Sequence, residues 1–268
     1  MRSLLATAAV ALTAFFVSGI PAIAREAAHV TPCAAATLAA SRTHARLTPC
    51  TAPYHRAIVE TTYYQNASRA GGTALAAYPE VRVRYGILRN AELFYDASSE
   101  IAKSGVAGAG IYTMTHPGIG VKLHLADLGN AALSLSAESH PPLSALANTE
   151  LVPLSDVHLS ANWSGIHAMQ YTLSAGMLNY ASTDEPGHRV SPLLAFSATH
   201  ALSARNFVTG EFALQSASFL GASAQSSATL AFAHVWTNRV LVNLELGSTF
   251  NQSGDSKPHY LGFGFIVH

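Results

Sequence analysis

The sequence predicts an all-β fold, an antiparallel transmembrane β-barrel of about 12 strands, and three observations lead to this prediction. Apolar and polar residues alternate along most of the chain, short breaks alternate with long ones, and charged residues are scarce. Of the 268 residues, 49% are hydrophobic and only 11% are charged, whereas an average soluble domain carries about 25% charged residues. Much of the outer surface is therefore expected to face something other than water.

The start of the chain predicts an export signal. Arg2 precedes an apolar run from Leu4 to Ile20, and Ala22 and Ala24 supply the small residues of a cleavage site before Arg25. An uncleaved anchor is the alternative, but the run is shorter than the about 20 residues that a spanning helix needs. The predicted organisation is a signal peptide at 1–24, an N-terminal periplasmic segment at 25–53 and a β-barrel at 54–268.

Cys33 and Cys50 are the two cysteines of the sequence. In an exported chain such a pair is expected to form a disulfide, which contributes about 3 kcal/mol when it closes a short loop. Two free thiols and a metal site that includes His44 are the alternatives, but no further ligands with zinc spacing accompany them. We expect a Cys33–Cys50 disulfide, no metal and no cofactor.

The alternation has a period of two, which is typical of β-strands. In GIGVKLHL, which starts at Gly118, Val121 and Leu123 fall on one face and Lys122 and His124 on the other. EVRVRYGI, VHLSANW, MQYTLSAGM and VLVNLEL repeat the same separation of apolar and polar faces. Each predicted strand therefore has one apolar face and one polar face.

The breaks between the strands predict how they connect. Short breaks lie at 88–90, 126–130, 164–167, 203–206 and 237–239, and long Ser/Gly/Pro/Asn-rich connections lie near 66–76, 98–117, 139–155, 181–191, 217–227 and 248–258. This alternation is typical of outer-membrane barrels, which have short periplasmic turns, long external loops and apolar outer faces. A bilayer accepts a β-sheet only as a closed barrel. An exported soluble β-sandwich also alternates, but it would carry charges on its outer faces.

Nine residues on the polar faces are candidates for lining the lumen of the predicted barrel. Rings of charged side chains around a pore set its selectivity. In a narrow barrel the same side chains can instead pair with one another and fill the interior. The candidates are Glu80, Arg82, Arg84, Glu92, Lys122, His124, Glu138, Glu211 and Glu245.

The last strand predicts a further partner. Gly262, Phe265 and Val267 have the spacing of the C-terminal strand that the outer-membrane assembly machinery recognises, although the final residue is His268 rather than Phe. The expected location is the outer membrane of a Gram-negative bacterium, after signal-peptide-dependent export, with membrane lipid around the barrel. The formal net charge is zero, which gives no electrostatic basis for binding nucleic acid.

Two segments carry a resemblance to a known family. YPEVRVRYGILRNAELFYD at 78–96 and GIGVKLHLADLGNAALSLSAES at 118–139 resemble the outer-membrane transporters named for the meta-pathway of phenol degradation, whose patterns combine RYG, a short turn and E-L with a later lysine-bearing strand. The resemblance implies a porin-like or uptake barrel for small-molecule solutes, which in this family are small hydrophobic or aromatic compounds. It implies no enzymatic activity.

Two other functions stay open at this point. A barrel with a closed lumen would serve as a structural or adhesion protein whose external loops bind a partner. A lipid hydrolase would need a serine activated by a nearby histidine, and the nearest local pair is His200 and Ser203 in THALSARN. This pair lies beside a predicted short turn, away from the outer leaflet, so a channel or transporter is the favoured function.

Overall fold

The computed structural model describes residues 48–67, 74–77, 80–97, 99–103, 110–114, 117–140, 151–166, 168–182, 188–216, 224–250 and 259–267. These residues form fifteen β-strands: β1 Ala57–Ala67, β2 Ala74–Ala77, β3 Glu80–Leu88, β4 Ala91–Ala97, β5 Ser99–Lys103, β6 Gly110–Met114, β7 Gly118–Leu128, β8 Ala131–Ser139, β9 Leu151–Ser164, β10 Met169–Ser182, β11 His188–Ala201, β12 Asn206–Gln215, β13 Gln225–Thr237, β14 Val240–Phe250 and β15 His259–Val267. Within this described part, no helix has the length and hydropathy needed to cross a bilayer.

Twelve of the strands form a closed antiparallel barrel, which confirms the predicted fold. Each strand pairs with its neighbour in the order β1-β3-β4-β7-β8-β9-β10-β11-β12-β13-β14-β15. The barrel closes between β15 and β1, whose register runs from Val59 opposite Val267 to Ala67 opposite His259. Closure gives every barrel strand two hydrogen-bonded neighbours, which a sheet within hydrocarbon requires.

The other three strands, β2, β5 and β6, lie in or beside the segments near 66–76 and 98–117 that the sequence predicts as long connections. β2 pairs with the end of β1, β5 pairs with β2, and β6 pairs with β5. β2, β5 and β6 are arranged in the same order as β3, β4 and β7, their neighbours along the chain. The short strands therefore extend this part of the sheet beyond the barrel. Each of them has only four or five residues, and pairing gives their backbone donors and acceptors partners.

The short turns all lie at one end of the barrel. They join β3 to β4, β7 to β8, β9 to β10, β11 to β12 and β13 to β14, and the start of β1 and the end of β15 lie at the same end. We call it the short-turn end and the opposite one the long-connection end. At the β7–β8 turn, Gly129 has a φ of 65°, a conformation that glycine adopts without strain.

Exposure is inverted relative to a soluble protein. Large apolar side chains point outward, as Leu159 and Leu246 do with 51% of their surface exposed, whereas Arg84 and Lys122 inside the barrel are each 1% exposed. Burying charges while exposing leucine is unfavourable in water but favourable where the outer face meets lipid. This explains the alternation in GIGVKLHL, where Leu123 faces outward and Lys122 faces inward.

The interior also contains a small apolar cluster at the short-turn end. Its buried members come from both sides of the barrel closure and from the residues that precede β1: Ala52, Ile58, Phe207, Ala233, Leu241 and Ile266. They take the inward phase of their strands, so the periodicity that places charges inside elsewhere places apolar side chains inside here. The interior is therefore apolar near its short-turn end and charged farther toward the long-connection end.

Candidate functional site in the barrel interior

An arginine lies at the centre of a buried ion-pair cluster on one side of the barrel. Arg84 on β3 donates to Glu92 on β4 through Nε and Nη2, at 3.0 and 2.9 Å, and to Glu60 on β1 through Nη1 at 3.1 Å. Lys122 on β7 places its Nζ 3.6 Å from Glu92 Oε1. We call Glu60, Arg84, Glu92 and Lys122 the arginine cluster. Each of them is 2% exposed or less.

A second ion pair continues the cluster toward the long-connection end. Arg82 donates to both carboxylate oxygens of Asp96, which lies directly opposite it across β3 and β4. The guanidinium also lies 5.7 Å from the ring centre of Phe94, within the range of a cation–π contact. The Phe94 ring occupies the space above Gly120, where a Cβ would overlap it. We call the inward face of β1, β3, β4 and β7 the charged wall.

The residues that precede β1 enter the barrel and bind to this wall. Pro49, Cys50 and Ala52 are fully buried. Arg84 Nη2 donates to the Cys50 carbonyl at 2.7 Å, and the Ala52 amide donates to Glu92 Oε2. Segment 48–53 is thus held by the same two side chains that form the centre of the arginine cluster.

Gly86 allows this close approach. It follows Arg84 in the inward phase of β3, and a Cβ at this position would overlap the carbonyl oxygens of Ala52 and Pro53. The backbone then turns out of the interior, because His55 donates to the Gly86 carbonyl at 2.9 Å and Gly86 donates to Arg56 at 3.1 Å. Arg84, Gly86 and Glu92, which belong to the RYG and E-L patterns of the sequence, therefore share one structural role.

The opposite side of the interior is lined mostly by short side chains. We call the inward face of β10 to β13 the small-residue wall; besides the larger Gln170, Phe207 and Glu211 its buried residues include Thr172, Ser174, Ala195, Thr209, Ala213, Thr229, Ala231 and Ala233. Its hydroxyl groups pair across strands, as Thr199 and Thr209 do at 2.9 Å. Asn162 on β9 donates to Thr172 at 2.9 Å, and the hydroxyls of Ser160 and Ser174 lie 2.9 Å apart. Such short side chains occupy little of the lumen.

Between the two walls, near the long-connection end, lies a group of histidines and carboxylates. His140 Nε2 lies 3.5 Å from a carboxylate oxygen of Glu138 and 3.5 Å from one of Asp156. His158 Nε2 lies 3.1 Å from the other Asp156 oxygen. All four residues are at most 7% exposed. We call them the histidine–carboxylate cluster.

The structure places most of the predicted lumen candidates inside the barrel. Arg82, Arg84, Glu92 and Lys122 lie together on the charged wall, whereas Glu138, Glu211 and Glu245 are buried on other strands. His124 lies near the short-turn end, with 21% of its side chain exposed and its Nε2 3.2 Å from Asp127. Glu80 begins β3, but its side chain lies outside the described residues, as does Cys33. The pore-lining role and the disulfide of Cys50 remain predictions.

Sequence reasoning left several interior residues out of the candidate set. Glu60 and Asp96 complete the ion pairs of the charged wall, and His140, Asp156 and His158 complete the histidine–carboxylate cluster. The period-two alternation could have identified Glu60, Asp96, Asp156 and His158, because each lies on the inward face of its strand. His140 follows the end of β8, where no strand pattern remains to place it.

The local pair considered for lipid hydrolysis does not form a catalytic contact. Ser203 Oγ accepts hydrogen bonds from the backbone amides of Arg205 and Asn206 and from the Asn206 side chain. His200 lies on β11, and its Nδ1 has no hydrogen-bond partner in the part of the chain that the structure describes. A serine nucleophile needs a histidine within hydrogen-bonding distance, so this pair provides no support for a hydrolase.

Comparisons with known proteins support the same architecture. An outer-membrane channel from Pseudomonas putida F1 is similar to this chain with a TM-score of 0.59 and 12% sequence identity, over 81% of this chain and 96% of the channel. The NanC porin is similar with a TM-score of 0.56 and 7% identity, over 78% of this chain and 99% of the porin. The sequence matches no protein-family model and no curated protein. The chain has the fold of a twelve-stranded outer-membrane β-barrel.

Proposed function

We propose that this protein is an outer-membrane channel or transporter that admits small solutes through the barrel interior. The observation that carries the proposal is the inversion of polarity: charged and hydroxyl-bearing side chains line the inside of a closed barrel whose outside is apolar. A polar interior lowers the cost of moving water and polar solutes across the hydrocarbon layer. The short side chains of the small-residue wall favour a path along β10 to β13.

Segment 48–53 forms the narrow part of this path. It occupies the interior at the short-turn end, between the arginine cluster and the apolar cluster that contains Ala52. The arginine cluster fixes one side of the segment through the Cys50 carbonyl and the Ala52 amide. A solute entering from the long-connection end would therefore meet its main constriction close to the periplasmic exit.

The remaining expectations belong to the same proposal. The resemblance to the phenol meta-pathway transporters favours small hydrophobic or aromatic solutes, and the RYG and E-L residues have a defined role in holding segment 48–53. Export by residues 1–24, a Cys33–Cys50 disulfide and insertion by the outer-membrane assembly machinery complete it. In the closed-barrel alternative, segment 48–53 would seal the interior instead of narrowing it.

Single-channel conductance in planar bilayers tests the proposal. The mature chain is compared with a variant that begins at Tyr54 and with Gly86→Ala, which forces segment 48–53 off β3. Gly120→Ala is the matched control, because its Cβ displaces the Phe94 ring rather than segment 48–53. We expect small steps for the mature chain and the control, and larger steps for the truncated and Gly86→Ala variants.

The outcomes separate the two parts of the proposal. If neither the mature chain nor the truncated variant conducts, although both fold as heat-modifiable β-structure, the protein is a closed barrel and the channel function is wrong. Equal steps in both proteins would keep the channel function and refute the constriction by segment 48–53. Vesicle swelling with an aromatic solute and a polar solute of equal size then tests the solute class.

A further inference from the structure

From the geometry of Glu138, His140 and Asp156 we infer that the barrel interior contains a binding site for a divalent transition-metal ion such as Zn²⁺. Among the described residues, these three bring one ligand atom each to within 4.8 Å of one another. Two of the three separations, from His140 Nε2 to each carboxylate, are 3.5 Å. Imidazole nitrogen and carboxylate oxygen are both donors that Zn²⁺ accepts.

These separations fit ligands around one ion better than they fit a hydrogen bond. An N–H···O bond has a donor–acceptor distance of about 2.7–3.2 Å. Around a tetrahedral Zn²⁺ with bonds of about 2.0–2.2 Å, adjacent ligand atoms lie about 3.3–3.6 Å apart. The 3.5 Å separations at His140 fall in the second range, and the three donors leave the fourth position to a ligand outside this set.

His140 provides an independent observation. The residue is buried, with 7% of its surface exposed, and its Nδ1 has no hydrogen-bond partner among the described residues. Its Nε2 lies 3.5 Å from a carboxylate oxygen of Glu138 and 3.5 Å from one of Asp156. A buried imidazole normally has a hydrogen bond at each ring nitrogen, so His140 is positioned by the contacts of its Nε2 with the two carboxylates and not by a hydrogen bond at Nδ1.

The surrounding strands are shaped to hold these ligands. Glu138 on β8 and Asp156 on β9 are cross-strand partners in register. Gly118 on β7 leaves the space that the Glu138 carboxylate and the His140 ring fill, because a Cβ there would overlap the carboxylate. His158 fixes Asp156 from the other side at 3.1 Å, and a Cβ at Gly176 would overlap the His158 ring. His158 thus supports a ligand without being one, as is usual around metal sites.

Zinc titration of the full mature chain in detergent tests the site, after treatment with a chelator and with a chromophoric chelator as competitor. We expect one Zn²⁺ per chain and a visible Co²⁺ spectrum typical of tetrahedral coordination. His140→Ala and Asp156→Asn should each weaken binding by more than about tenfold, and His158→Ala by about 10–100-fold. His124→Ala is the matched control, because His124 also lies 3.2 Å from a carboxylate, and it should leave the affinity unchanged.

Three results would overturn the inference. One is a folded, heat-modifiable chain that binds no stoichiometric Zn²⁺, which would make the cluster an ion-paired group only. Another is zinc binding of equal strength in His140→Ala, which would place the ion elsewhere. The third is an equal loss in His124→Ala, which would indicate a general effect on folding. Gly118→Ala adds a variant that removes no ligand, and it should weaken Zn²⁺ binding by displacing the Glu138 carboxylate.

Discussion

The two walls of the barrel interior differ in how their inward-facing residues are satisfied. On the charged wall, one long side chain serves several partners, because Arg84 donates to Glu60, to Glu92 and to the Cys50 carbonyl at once. On the small-residue wall, short hydroxyl groups pair with their direct neighbours across strands, as Thr199 and Thr209 do. One wall therefore depends on a guanidinium that several acceptors share, whereas the other depends on separate pairs between adjacent strands.

This difference indicates a division of roles. A network in which one guanidinium serves several acceptors is sensitive to the loss of that guanidinium, because each buried acceptor then lacks its partner. A wall of separate hydroxyl pairs loses only one pair at a time. We interpret the charged wall as the structural support for segment 48–53, and the small-residue wall as the surface that leaves room for solutes.

The largest expected effect follows from breaking the charged wall at its centre. Arg84→Met removes the bidentate partner of Glu92 and the partner of Glu60 while it keeps most of the apolar volume. Breaking a buried ion pair by removing one partner costs about 3–5 kcal/mol, and we expect a loss of this size in the free energy of unfolding. Urea unfolding of the refolded chain, followed by tryptophan fluorescence, measures it.

Two controls sharpen this prediction. Arg84→Lys keeps the charge but cannot form the planar bidentate contact, so its stability should lie between those of the wild type and Arg84→Met. Arg205→Met changes an exposed arginine in the β11–β12 turn and should alter the free energy of unfolding by less than about 0.5 kcal/mol. Equal effects of Arg84→Met and Arg205→Met would show that the arginine cluster contributes no net stability.

A smaller effect on stability and a large one on conductance are expected from filling the small-residue wall. Ala231 is 4% exposed and lies in register with Thr209 and Glu245. Ala231→Phe should lower the free energy of unfolding by about 1–3 kcal/mol, because the ring overpacks this wall. It should also reduce the conductance of the variant that begins at Tyr54 by roughly half, because the ring would narrow the path.

The matched control for this prediction lies one residue away. Leu230 points outward with 51% of its side chain exposed, so Leu230→Phe adds a ring of the same kind on the lipid side. Conductance should be unchanged in Leu230→Phe. A reduction of the same size in both variants would mean that the added ring acts through general distortion of β13, and it would refute a solute path along this wall.

The sequence predicts which face of each barrel strand points inward. Period two is a local property, so the inward phase of Arg82, Arg84, Lys122 and Glu245 could be read directly from their strands. The even strand number and the position of the termini followed from the alternation of short and long breaks. The strands β2, β5 and β6 were missed because each has only four or five residues within a longer segment that has the composition of a connection.

Contacts across space could not be predicted in the same way. Nothing in the strand pattern indicated that Cys50 and Ala52 fold back into the barrel, because their position depends on Arg84, Gly86 and Glu92 together. Likewise, His140 lies beyond the last residue of β8, and its proximity to Asp156 results from the pairing of β8 with β9. The sequence predicted the phase of the interior residues and left their partners undetermined.

The smallest expected effect tests whether the small-residue wall consists of separate pairs. Ser174→Ala removes one hydroxyl of the Ser160–Ser174 pair, and a buried hydrogen bond contributes about 0.5–1.5 kcal/mol. The double variant Ser160→Ala with Ser174→Ala should lose less free energy of unfolding than the two single variants lose together, because it leaves no unpaired hydroxyl. Urea unfolding of all four proteins measures this coupling energy. Asn162 and Thr172 form the neighbouring pair at 2.9 Å, so Thr172→Ala combined with Ser174→Ala should be additive. Non-additivity between these two pairs would instead show that the hydroxyls act as one network, and the contrast with the arginine cluster would then be one of strength alone.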